Sequence, residues 1–89
     1  MTLQIDTLRS TVKDLERRRD ELRLKLHLAK ADARDEWERT EQKWERVRTD
    51  LQRAQEGTGK AVEEIAGGVQ RLIDEISNSY QRIRSTISA

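Results

Sequence analysis

Few residues in this chain of 89 have types and spacing suited to chemistry. Trp37 and Trp44, the two tryptophans, stand one heptad apart. Tryptophan is enriched where proteins bind one another, and it also serves as filler at a helix-helix contact. Arg17-Arg18-Arg19 is a cationic run of the kind that attracts nucleic acid or anionic lipid. Asp14, Glu16, Asp20 and Glu21 surround it and cancel its field, so no nucleic-acid partner is expected. His27 is the single histidine and there is no cysteine, which leaves no ligand set for a transition metal. The carboxylates are many, but no spacing isolates a pair in a pocket where one could act as acid and the other as base. The expectation is a protein without catalytic residues, metal or cofactor.

The elements that carry these residues are written in a seam. Ile5, Leu8, Val12, Leu15, Leu22, Leu26, Ala29 and Ala33 follow alternating steps of three and four, with Arg19 in the one polar slot. Such spacing lines one face of an α-helix, and that face must meet another helix to escape water. A polar residue in a seam fixes alignment or oligomeric state, which is the reading favoured for Arg19. After Ala33 a step of four replaces a three, and the seam resumes at Trp37, Thr40, Trp44, Val47, Leu51 and Ala54. This stutter predicts a locally unwound supercoil. A second seam holds Val62, Ala66, Val69, Ile73, Ile76, Tyr80, Ile83 and Ile87, widened by Ile65 and Leu72. Leu24, Leu28 and Ala31 make a small stripe off the main seam, suggestive of a further contact surface.

Gly57-Thr58-Gly59 is the strongest punctuation. Gly57 suits the left-handed turn that ends a helix, and Thr58 suits the cap of the next. The alternative is a continuous helix, because the spacing Leu51, Ala54, Thr58, Ala61, Ile65 passes through the glycines unbroken. Gly67-Gly68, inside the second helix, weakens it; the pair reads equally as room for a close partner, such as an indole, or as a flexible spot.

Charged residues make up 39% of the chain and aromatics 3%, with no proline. With this periodicity, the composition marks a coiled coil or long helices rather than disorder. The net charge of +1 leaves neither a basic arm nor an acidic tail. No signal peptide is visible at Met1-Thr2-Leu3-Gln4-Ile5-Asp6, and no apolar run is long enough to span a membrane. A cytoplasmic location is expected.

The fold expected is all-α and a single helical domain over 1–89. Helix one runs over about 2–55, the junction is 57–59 and helix two covers about 59–88, packed as an antiparallel hairpin. Helix two is too short to cover residues near 5–22, so these are expected to pair between chains in an oligomeric coiled coil or bundle, a dimer or tetramer. The interaction seam comprises Ile5, Leu8, Val12, Leu15, Leu22, Leu26, Trp37, Trp44, Leu51, Val69, Ile73, Ile76, Tyr80 and Ile83. The function expected is self-association, or binding of another helical protein, through these seams. The alternative is a membrane-surface or lipid-binding protein using the amphipathic face of 60–88.

The run Lys30-Ala31-Asp32-Ala33-Arg34-Asp35-Glu36-Trp37, followed by Trp44-Glu45, Leu51, Gly57, Ala61-Val62-Glu63-Glu64-Ile65 and Gly68, resembles a group of small bacterial coiled-coil and stress-response proteins of unknown mechanism. The resemblance covers about residues 24–85. It departs where the group commonly has Trp after the junction, since Val62 and Leu72-Ile73 stand here. It implies a bacterial, soluble, non-enzymatic protein and carries no functional residues across.

Overall fold

A computed structural model describes the backbone of residues 2–57 and 59–88 and the side chains of 6–57 and 59–87. Its elements are α1 (Thr2–Lys25), a 3-10 turn (Leu26–Leu28), α2 (Ala31–Glu56) and α3 (Lys60–Ser88). α2 and α3 form the expected antiparallel hairpin: Glu36 pairs with Arg82 and Lys43 with Glu75. The second arm of the expectation needs correction. Helix one does not run from 2 to 55; it breaks at residues 26–30, and α1 folds back onto the hairpin. A continuous helix over 2–55 would be roughly 80 Å long, whereas the longest extent of the molecule is 45 Å.

Three pairings set the topology. Arg19 of α1 meets Glu41 of α2. With its amide turned to accept, Gln55 takes hydrogen bonds from Arg9 at 2.7 and 3.1 Å. These pairs run in opposite directions along the two helices, so α1 is antiparallel to α2. Arg18 donates to Ser77 Oγ at 3.3 Å, joining α1 to α3; because both are antiparallel to α2, they run parallel to each other. The result is an up-down-up three-helix bundle around one core.

The seam expected to await a second chain is therefore satisfied within one. Leu8, Val12, Leu15 and Leu22 are all buried. Each contributes about 1.5–3 kcal/mol by leaving water. Folding back forgoes a few helical hydrogen bonds at the break, each with a net worth of about 0.5–1.5 kcal/mol. Burial exceeds that loss, so tertiary packing overrides the helical periodicity. Nothing local compels the break. The segment Leu26-His27-Leu28-Ala29-Lys30 has neither Gly nor Pro, and Lys30, at the N-cap of α2, makes no side-chain capping bond.

The other seam residues divide by depth. Trp37, Trp44, Val69, Ile73, Ile76, Tyr80 and Ile83 are buried, while Leu26 and Leu51 pack against the core and remain partly exposed. The seam role of Ile5 and the capping role of Thr58 lie outside the described residues.

The junction behaves as expected but with the glycines exchanged. Gly57 ends α2 in extended backbone, φ −93° and ψ 169°, its N–H donating to Arg53 O at 3.0 Å. The left-handed residue is Gly59, at φ 61°, where a side chain would meet backbone strain. Gly67 and Gly68 do not mark a close approach: a Cβ built on either would meet nothing within 4 Å. The indoles lie elsewhere.

Candidate functional site

Where the three helices meet at mid-bundle, the core turns aromatic and polar. Trp44 is fully buried and Tyr80 almost so. They face each other because Trp44 continues the α2 seam and Tyr80 the α3 seam. The Trp44 indole Nε1–H donates to the Tyr80 hydroxyl. Trp37, one heptad back, stacks on the Tyr80 ring with centroids 5.9 Å apart. Tyr80 is thus held on its face and at its hydroxyl by the two tryptophans. Burial pushes its pKa up to about 12, although the Trp44 hydrogen bond and the nearby arginines work the other way. At neutral pH it is a neutral phenol, poorly suited to be a nucleophile or base. Arg48 lies over the Trp44 ring at 5.8 Å, on the solvent side.

Ion pairs ring this layer. Arg19 Nε and Nη2 bind the two carboxylate oxygens of Glu41 at 2.7 and 2.6 Å. The hydrogen bond to Glu41 raises the Arg19 pKa against the opposing effect of burial. The polar seam residue is therefore satisfied inside the monomer, tying α1 to α2 in one register. Arg82 binds Glu36 at 2.6–2.7 Å and reaches Ser79 Oγ at 3.3 Å. Burial raises the Glu36 pKa, but hydrogen bonds from Arg82 and Ser79 and the charges of Arg82 and Arg39 outweigh it, and the net shift is downward. Thr40, also buried, turns its hydroxyl back to Glu36 O at 2.8 Å.

These partners were hard to find from sequence. Ser79 had a signal: Ile76, Ser79, Tyr80 and Ile83 occupy consecutive positions of one helical face, so a buried serine was readable there. Glu41 had none, because its pairing with Arg19 exists only once α1 folds back.

Two surface features remain. A small cleft of about 120 Å³ lies between the C-terminal halves of α1 and α3, bounded by Arg18, Lys25 and Arg84 with Glu21 among them, over Leu22, Ile87 and Tyr80. It is well below the roughly 300–1,000 Å³ of a site for a drug-sized ligand. The second feature is apolar. Leu24 is 78% exposed and Leu28 61%, on either side of the α1 end. The stripe expected at these positions is thus presented to solvent at the α1–α2 corner, joined by exposed Ala31.

Arg17-Arg18-Arg19 does not act as one patch: Arg19 is bound to Glu41, Arg18 reaches Ser77 and Arg17 is exposed. His27 is exposed; its backbone carbonyl oxygen accepts a hydrogen bond from Arg34 Nη2 at 3.3 Å, and its ring takes no part. Among the described residues, no group of three or more His, Cys, Asp or Glu is placed to hold a metal ion. Among them too, no helix is long and apolar enough to cross a membrane. No protein-family model, curated protein or solved structure matches this chain.

Proposed function

We propose that this chain is a non-enzymatic interaction module that associates with a second copy of itself at the α1–α2 corner. The observation that carries the reading is the exposure of Leu24 and Leu28, two large apolar side chains one helical turn apart in sequence on a surface otherwise rich in charge. A two-fold contact presents the same patch from both copies, so the apolar corner needs to be complementary only to itself. Another helical protein with an apolar stripe could use the same corner. A cytoplasmic setting belongs to this reading, and the resemblance to bacterial coiled-coil and stress-response proteins is compatible with it. The lipid-binding alternative is less well supported, because the apolar face of 60–88 is spent on the core: Val69, Leu72, Ile73, Ile76, Tyr80 and Ile83 are all buried.

Sedimentation equilibrium over a micromolar concentration series tests the proposal. The wild type is expected to show a dimer mass that falls to the monomer on dilution. Leu24→Ser/Leu28→Ser should stay monomeric with an unchanged helical spectrum. A wild type that is monomeric throughout contradicts it.

A further inference from the structure

The corner that exposes Leu24 and Leu28 supplies only part of the contact area that a stable dimer needs. Two leucines per copy bury on the order of a few hundred Å², whereas stable interfaces bury roughly 1,200–2,000 Å². The same corner is the place where the chain departs from its own periodicity. The steps Leu22, Leu26, Ala29, Ala33 continue the alternation of three and four through the break without fault. The break consists of one 3-10 turn and two extended residues, Ala29 at φ −83°, ψ 148° and Lys30 at φ −75°, ψ 166°. Neither angle pair is beyond an ordinary residue's reach, and no described non-glycine residue has positive φ. Leu, Ala and Lys are good helix formers. The segment is therefore as competent to be helix as to be a turn.

We infer that residues 26–30 are a hinge, and that dimerisation proceeds by exchange of α1 between two copies. The inference rests on the self-association proposed above and adds how the area is gained. In the open form, α1 and α2 become one helix, and α1 leaves its own hairpin for that of the second copy. Every contact of the α1 seam is then remade with an identical surface. Leu8, Val12, Leu15 and Leu22 re-enter the core on the partner's hairpin, and Arg19 meets Glu41 of the partner subunit. The exchange needs no new complementarity, and it recruits the whole α1 face into the interface. The hydrogen bonds forgone at the break are regained as the helix closes over it. The seam that reads from sequence as an intermolecular coiled coil and the seam seen packed within one chain are two uses of the same residues.

Proline separates the closed and open forms. At Lys30, φ −75° matches the proline ring, and the extended Ala29 before it is the conformation that proline imposes. Among the described residues, the Lys30 N–H makes no backbone hydrogen bond. Lys30→Pro is thus compatible with the closed bundle, whereas in a continuous helix it deletes a bond and clashes with the preceding turn. Ala31→Pro, at the first position of α2, is a second variant with the same logic. Each protein is unfolded in guanidinium at high concentration, refolded and measured by sedimentation equilibrium, with helical content and tryptophan emission confirming the fold. The wild type should yield dimer, and both proline variants should lower the dimer fraction at least about tenfold. Dimer that persists in folded proline variants but disappears in Leu24→Ser/Leu28→Ser overturns the exchange and leaves corner docking standing. Monomer alone in the refolded wild type overturns both.

Discussion

Tyr80→Phe is the most informative single substitution in the core. It keeps the ring that stacks on Trp37 and removes only the oxygen that accepts from Trp44. Trp44 is fully buried, so its indole N–H has no water to turn to. Stranding a buried donor costs about 1–3 kcal/mol. Near 2 kcal/mol, a domain of this size should melt roughly 8–16 °C lower. Titration gives an independent reading. A free tyrosine loses its proton near pH ~10, while Tyr80 in the fold holds it to about 12. Between those values the unfolded chain binds fewer protons than the native one, so stability is complete below pH ~10 and falls as pH rises through ~12, by up to about 1.4 kcal/mol per unit for one proton. Tyr80 is the chain's one tyrosine, so tyrosinate absorbance reports on it alone. Thermal melts across pH 8–12, wild type against Tyr80→Phe, should show the difference between the two curves shrinking as the wild type loses this contribution. A Tyr80→Phe protein within about 0.5 kcal/mol of wild type, or a phenol that titrates near 10 in the folded state, would refute the reasoning.

Other outcomes follow from the same packing. Trp44→Ala should cost about 3–5 kcal/mol in urea denaturation, as for a large side chain lost from a closed core. Arg19→Ala leaves a half-buried Glu41 carboxylate without its fork and should cost about 1–2 kcal/mol, with much of the loss recovered in Arg19→Leu/Glu41→Leu; the double-mutant cycle measures this. Gly67→Ala and Gly68→Ala should each stabilise by about 0.5–1 kcal/mol, because both sites are helical and have room for a methyl group; destabilisation in thermal melts would mean that backbone approach matters there.

The hairpin was legible in the sequence because its two halves carry long seams of their own, and Gly57–Gly59 is a break that local chemistry explains. Burial of Trp37, Trp44, Ile73, Ile76, Tyr80 and Ile83 was readable from the step of three and four alone. The fold-back of α1 was not, because periodicity reports which face is apolar and is silent on whether the partner is the same chain or another. Nothing at residues 26–30 announces a turn, and the decision is made by burial of Leu8, Val12, Leu15 and Leu22 at a distance. The Arg19–Glu41 pair was hidden for the same reason. Arg19 was visible as the polar member of its seam, but its partner is fixed only by where α1 comes to rest. The small residues Gly67 and Gly68 misled in the other direction, since a missing side chain is equally the mark of close packing and of empty space.

The most direct test of a hinge at 26–30 is a distance within one chain of the dimer. Spin labels at the exposed positions Lys13 and Gln52, diluted with unlabelled protein so that only pairs inside one chain are read, distinguish the two forms. Exchange predicts roughly 58 Å, the rise of a continuous helix over the separation of the labels. A dimer in which that distance stays short, as set by the roughly 8–10 Å spacing of packed helices, would contradict it.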